Sequence, residues 1–259
     1  MDDFYFYSAN GIHYEAYQLI FNELNNQPTV FHYPILDQFP GEKGAPFSWT
    51  MFSDVIDQTI QNKQNIGIGH SSGATALLYH AILNPDAWKT IFIMEPALFS
   101  PPFNFIYRII RTLRLENQLH PMIRITKKRR DQFDSIEGVI KRWRNYPTFR
   151  QFSDKALGIF VRASIQEDDG IYSLRFPKKW EIEIYRNMCV LDPVIWKNLR
   201  TLQSKLIVIA GQTSNTFLSG ARRLLKRHAD EFIEIPNTTH LVPFESPRIC
   251  AKIINHHMS

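Results

Sequence analysis

The sequence has two cysteines, Cys189 and Cys250, in 259 residues. Two widely spaced thiols make neither a disulfide framework nor a metal-ligand pattern. They are expected to be buried and reduced, as in a cytoplasmic protein. No apolar run reaches the length that crosses a bilayer. The amino terminus, Met1-Asp2-Asp3-Phe4, is acidic and runs straight into an apolar stretch, so no secretory signal is expected. Internal repeats and low-complexity tracts are missing. Acidic residues are scarce in one region. Residues 101–130 carry eight basic side chains (Arg108, Arg111, Arg114, Arg124, Lys127, Lys128, Arg129, Arg130) against Glu116 alone, a local charge of +7 within a chain of +5. The rest of the chain is therefore about −2, and the basic balance belongs to one segment. No nucleic-acid-binding module accompanies it, so no nucleic-acid partner is expected.

Hydrophobic residues make up 44% of the chain and aromatics 13%, enough for a sizeable core. The length suits one large α/β domain or a core with a cap. Short apolar runs alternate with helical periodicity. Strands are expected at 4–7, 29–33, 66–68, 90–94, 206–210 and 232–235. Helices are expected at 14–24, 49–60, 74–83, 221–228 and 247–256, with a loop over 35–47. Several strands are continuous apolar runs at βαβ spacing, which predicts a mostly parallel sheet flanked by helices on both faces. The core comprises residues 1–99 and 196–259. Residues 100–195 break the alternation, being rich in arginine, aromatics and helical period, and read as a helical cap inserted between core strands.

The stretch Ile66-Gly67-Ile68-Gly69-His70-Ser71-Ser72-Gly73-Ala74 runs from apolar residues into a G-x-S-x-G pentad and then a helical pattern. Strand, tight turn and helix are the context of a nucleophile elbow, with Ser71 exposed on a strained turn. Side chains two residues to either side would collide, which explains Gly69 and Gly73. His70 is expected to point elsewhere, and His80 to be a packed or exposed helix residue.

A serine hydroxyl needs a base, and the base needs a carboxylate. His240 follows the last strand and precedes the closing helix, the place for that base. The stretch after 206–210, Gly211-Gln212-Thr213-Ser214-Asn215-Thr216, contains no acid. Glu95, directly after the strand at 90–94 and before Pro96, is the preferred carboxylate; Asp192, Asp168 and Asp169 are remoter options. The oxyanion donors are expected to be the amides of Ser72 and Ile12, the latter after Gly11 in the loop following the first strand. His13 is expected to face the pocket. Phe149, Phe152, Phe160, Trp180 and Tyr185 are expected to line it.

With these residues in place the chain resembles the α/β-hydrolase superfamily of serine hydrolases over almost its whole length. The likeness is carried by Asn10-Gly11, Gly69-His70-Ser71-Ser72-Gly73 and Thr239-His240-Leu241-Val242-Pro243. A narrower group is similar at Ala9-Asn10-Gly11-Ile12, Glu95-Pro96-Ala97-Leu98 and Gly211-Gln212-Thr213-Ser214. In that group an acid missing after Gly211 is normal, and the resemblance supports Glu95 over any lid aspartate. Glutamate stands where aspartate is commoner, and the usual N-terminal antiparallel hairpin is expected to be short or absent. Haloalkane dehalogenases are similar in placing an acid after this strand, but they need an aspartate nucleophile where this chain has Ser71. The resemblance implies hydrolysis of a carboxylic ester or a related acyl bond on a small-molecule substrate, with no cofactor and no metal. The alternatives are a cofactor-independent lyase or perhydrolase on the same triad, and a non-catalytic binding protein on a hydrolase fold.

The segment from Phe103 to Leu115 is amphipathic, with Phe105, Ile106, Ile109, Ile110 and Leu113 set against Arg108, Arg111 and Arg114. It reads as a cap helix with its apolar face over the pocket and a solvated cationic face. The cations could also draw the cap weakly to an anionic lipid surface, or to an anionic substrate such as an acyl carrier or coenzyme thioester. The sequence sets no oligomeric state.

Overall fold

The computed structural model describes residues 4–28, the backbone of 30–32, and 48–258. Met1–Asp3, Thr29, Tyr33–Pro34 and the loop expected over 35–47 lie outside the described residues. The strands are β1 (Phe4–Tyr7), β2 (Val30–His32), β3 (Asn65–His70), β4 (Trp88–Met94), β5 (Gln132–Phe133), β6 (Ile165–Asp168), β7 (Ile171–Leu174), β8 (Lys205–Gly211) and β9 (Glu231–Ile235). The first α-helices are α1 (Gln18–Phe21), α2 (Thr50–Thr59), α3 (Ser72–Leu83), α4 (Pro101–Thr112), α5 (Glu116–Leu119) and α6 (Pro121–Lys128). Then come α7 (Ile136–Arg144), α8 (Asp154–Ser164), α9 (Lys178–Arg186), α10 (Asp192–Asn198), α11 (Ser219–Lys226), α12 (Val242–Glu245) and α13 (Pro247–Met258).

Six strands form one sheet in the order β2-β1-β3-β4-β8-β9, and every described pairing in it is parallel. Successive side chains point to opposite faces, so β1, β4 and β8 each feed two apolar clusters, while β3 feeds one and presents glycines to the other. Tyr5, Tyr7, Ile91, Ile93, Leu206 and Val208 join one, with Phe52 and Ile56 of α2, Leu77 and Leu78 of α3, and Leu225 of α11. Phe4, Phe6, Ile68, Phe92, Met94 and Ile207 join the other, with Ile20 of α1, Val161 of α8, Phe244 of α12 and Ile254 of α13. Burial on both faces is why the strands read as continuous apolar runs. Each such side chain contributes about 1.5–3 kcal/mol on burial.

The register brings the functional ends together. Tyr7 pairs with Gly69, and His70 with Met94, so the carboxyl ends of β1, β3 and β4 lie side by side. Ligands bind at this edge of parallel α/β sheets.

Between β4 and β8 the chain makes α4 to α10 and a second, three-stranded antiparallel sheet, β5-β7-β6. That small sheet departs from the helical expectation. Its hairpin turns at Asp169-Gly170, both at positive φ (48° and 77°), a pair suited to a two-residue hairpin loop. β6 is mostly exposed and polar, and β7, only four residues long, is mostly half-buried, so neither shows the long apolar alternation that announces a strand. The insertion also shares the core. Phe176, Trp180 and Ile184 pack in the cluster of Tyr5 and Trp88, and Phe152 and Phe160 in the other. The position 195/196 falls inside α10, which packs on α3.

Candidate active site

Ser71 sits between β3 and α3 at φ 54°, ψ −116°, a conformation that strains any residue with a Cβ. The turn is tight enough to dictate its neighbours. A Cβ on Gly69 would lie 2.5 Å from Ala74 Cα, and one on Gly73 2.4 Å from the Tyr7 carbonyl oxygen. The turn is held by Ser71 N–H donating to Met94 O at 3.0 Å and by Ser71 O accepting from Thr75 N–H at 3.1 Å and Ala97 N–H at 3.2 Å.

His240 Nε2 lies 3.0 Å from Ser71 Oγ, and His240 Nδ1 lies 3.1 Å from Glu95 Oε2. A carboxylate opposite Nδ1 fixes the tautomer: Nδ1–H donates, and Nε2 is left to accept the serine proton. Ser71, His240 and Glu95 are thus brought together. Asp192 is buried elsewhere, accepting from Phe99 N–H at 2.8 Å, and burial raises its carboxyl to about 7. Asp168 and Asp169 sit at the exposed hairpin between β6 and β7.

Glu95 is wholly buried, on left-handed backbone at φ 46°. Its amide donates to Ile209 O at 2.9 Å. Four donors converge on its carboxylate. Gly211 N–H (2.8 Å) and Arg222 Nη2 (3.1 Å) meet Oε1; Ser214 Oγ–H (2.6 Å) and His240 Nδ1–H meet Oε2. A buried carboxylate is stable only when its lone pairs are matched in this way. Arg222 escaped the sequence reading. It is one of several cations on α11, and only the fold turns it toward Glu95, Glu234 and the Gly211 carbonyl. The Gly-x-x-Ser pattern was the signal for Ser214.

His70, expected to point elsewhere, holds the His240 loop from behind. Its Nε2–H donates to the His240 carbonyl at 2.9 Å. Because a carbonyl only accepts, Nδ1 is the acceptor and receives a hydrogen bond from the Tyr17 hydroxyl at 2.7 Å. The Tyr17 oxygen in turn accepts Ala9 N–H at 3.1 Å. Burial, and then His240, push the His70 imidazole down to about 3, so it is neutral. The relay joins the loops after β1, β3 and β9. Glu245 secures the last of these, accepting from Thr239 N–H (2.6 Å) and Thr239 Oγ1–H (2.7 Å). His80 is packed, bonded to Asp57 and the Trp88 indole.

Ser72 opens α3, so the helix's own hydrogen bonds leave its amide unused. Ile12 N–H is turned back to Ala9 O at 3.2 Å, closing the turn that contains Gly11 at φ 73°. His13 caps the short 3₁₀ turn Tyr14–Tyr17. Its Nδ1 accepts from Glu15 N–H and Arg175 Nη1, and burial and then Arg175 lower its pKa. That Nδ1 is occupied in capping and in the contact with Arg175. Phe152 stacks on Phe244 within an aromatic group that includes Phe149 and Phe160. Trp180 is buried in the core with Lys179 over its ring. Beside the first loop, Glu181 accepts from Thr126 and Arg129, and its Oε2 would be 3.2 Å from a Cβ on Gly11.

Cys189 and Cys250 are buried free thiols, each raised by burial. Among the described residues no group of three or more His, Cys, Asp or Glu is placed to hold a metal, and no helix is long and apolar enough to cross a membrane.

This parallel sheet, with helices on both faces and the serine turn after its central strand, is the α/β-hydrolase fold, and the solved structures it resembles are α/β-hydrolases. The crystal structure of the peroxisomal α/β-hydrolase Lpx1 of Saccharomyces cerevisiae matches at a TM-score of 0.71 and 19% identity, over 99% of this chain and 76% of that one. E-2-(acetamidomethylene)succinate hydrolase matches at 0.75 and 15%, over 99% and 91%. A thioesterase domain from the curacin biosynthetic pathway matches at 0.69 and 15%, over 98% and 90%. In sequence the chain is 24% identical over 218 residues to the yeast peroxisomal membrane protein LPX1. That alignment spans 75% of this chain and 52% of the yeast protein, so the chain corresponds to about half the length of this relative. No protein-family model matches the sequence.

Proposed function

We propose that the protein is a serine hydrolase that cleaves a carboxylic ester, or a related acyl bond, through an acyl-enzyme. The observation that carries this reading is the relay Ser71 Oγ, His240 Nε2, His240 Nδ1, Glu95 Oε2 at 3.0 and 3.1 Å. His240 Nε2 takes the Ser71 proton as Oγ bonds to the substrate carbonyl carbon. Glu95 holds the imidazole in place and balances its charge. The Ser72 amide faces the developing oxyanion. The Ile12 amide joins it by sharing or giving up its bond to Ala9 O, so that half of the oxyanion site forms only with substrate. His240 then protonates the leaving oxygen. Water, deprotonated by the same imidazole, releases the acid and restores Ser71.

The test is labelling with a fluorophosphonate alongside turnover of p-nitrophenyl butyrate, for wild type and Ser71→Ala. Wild type is expected to be labelled at one site and to release acid and alcohol in equal amounts. Ser71→Ala is expected to do neither. A wild type that resists the probe and leaves the ester intact refutes the reading. Labelling without acid release, with an eliminated or oxidised product instead, moves the same triad to lyase or perhydrolase chemistry.

A further inference from the structure

We propose that the outer face of α4, α5 and α6 is a docking surface for anionic phospholipid bilayers, on which the protein rests without crossing. The inference is independent of the chemistry assigned to Ser71. The sequence pattern of α4 suggests an apolar face turned to the pocket; the structure turns it outward. Asn104 and Tyr107 are the buried side chains of this helix, and the Tyr107 hydroxyl donates to Tyr185 O at 2.9 Å. Phe105, Ile106, Ile109 and Leu113 are on the other side, with Phe105 66% and Leu113 61% exposed. At about 100° per residue these four positions span roughly a quarter-turn of the cylinder opposite Asn104 and Tyr107. Leu119, Met122 and Ile125 continue the exposed apolar series on α5 and α6. Seven of the twelve exposed large apolar residues among those described thus fall within positions 105–125. So dense a concentration marks a binding face rather than scattered surface residues. The exposure is not fraying, because Ile123 and Thr126 of α6 are wholly buried and Thr126 Oγ1–H donates to Glu181 at 3.0 Å.

Charge selects the occupant. Arg108, Arg114, Arg124, Lys127 and Lys128 are exposed on the same helices and adjoining turn, and none pairs with an acid among the described residues. Apolar side chains beside cations are what an interfacial helix presents to anionic headgroups and the acyl boundary beneath them. A second copy of the chain would bring two strongly cationic segments together, which like-charge repulsion opposes. Nucleic acid would leave the apolar stripe without a partner.

The experiment is flotation of the purified protein with phosphatidylcholine vesicles and with vesicles containing about a third phosphatidylserine, with size measured by light scattering. Wild type should float with the anionic vesicles only, and raised salt should release it. Phe105→Ser/Ile109→Ser/Leu113→Ser should keep the wild-type circular dichroism and lose about tenfold or more in partitioning. Arg108→Gln/Arg114→Gln/Lys128→Gln should lose about fivefold per cation removed. Phe105→Trp reads the contact without removing apolar surface, and its emission should shift to the blue on adding anionic vesicles. Wild type that stays with the pellet, or a tryptophan spectrum that does not move, overturns the proposal. A wild-type dimer that the triple serine variant dissolves assigns the face to a second copy instead.

Discussion

Glu95→Gln separates the roles gathered on one carboxylate. The substitution keeps the shape and turns one acceptor oxygen into an NH₂ donor. If the nitrogen replaces Oε1 it opposes Gly211 N–H and Arg222 Nη2, neither of which can become an acceptor. If it replaces Oε2 it faces Ser214 Oγ, which can rotate to accept, and His240 Nδ1, which can accept in the other tautomer. The second orientation is therefore favoured, and it places the imidazole proton on Nε2, toward Ser71, where the base should be bare. The expected loss in kcat is about 10⁴-fold. The fold should lose only about 1–3 kcal/mol, because Arg222 keeps Glu234, the Phe217 carbonyl and the Gly211 carbonyl. The assay is kcat on p-nitrophenyl butyrate with a urea midpoint, and imidazole nitrogen shifts by NMR to read the tautomer. A folded Glu95→Gln protein within tenfold of wild-type kcat would refute the reasoning.

Ser214→Ala removes one of the four donors to Glu95 and should cost about fivefold to tenfold in kcat, with KM little changed, in the same ester assay. Gly73→Ala drives a methyl group into the Tyr7 carbonyl and should destabilise by about 3 kcal/mol, measured by urea unfolding; an unchanged midpoint would contradict the packing of that turn. Tyr17→Phe leaves His70 Nδ1 and Ala9 N–H without their shared partner, and should lower stability by about 1–3 kcal/mol and kcat with it. His70 is held neutral, with a pKa near 3 when folded and about 6.5 when unfolded, and His120 is lowered to about 4 by burial. Between those limits the unfolded chain binds more protons, so stability should be full above about pH 6.5 and fall as pH drops, by up to about 1.4 kcal/mol per unit for each group. Urea midpoints from pH 7.5 to 4.5 that do not move would contradict the buried, neutral state.

Ser71 and its glycines were legible because the constraint is local: the turn's sterics act over five residues. Strands β1, β3, β4 and β8 are legible because nearly all of their residues are buried, on both faces of the sheet. Glu95 could be read from its place after a buried strand and from the lack of an acid after Gly211. The support around these groups was not. Nothing local tells that Arg222, among several cations of α11, turns inward, or that Tyr17 and His70, 53 residues apart, are hydrogen-bonded. The cap that His13 makes for the turn at Tyr14 is not readable from the sequence either, since a histidine beside a helical start serves several purposes. The orientation of α4 is hidden from the sequence pattern as well. The helix carries apolar residues on two sides, Tyr107 inward and Phe105, Ile109 and Leu113 outward. Periodicity shows a stripe and does not say what covers it.

Five consecutive residues, 95 to 99, tie the sheet to the insertion. Glu95 N–H is bonded to Ile209 O, Ala97 N–H to Ser71 O, and Phe99 N–H to the Asp192 carboxylate. The natural seam for transplanting a different insertion onto this scaffold is consequently after Phe99 on the way out and before Asp192 on the way back. A graft joined there would inherit an acid and a serine turn already locked in register. One joined a few residues earlier would carry a new surface but leave Glu95 unmoored.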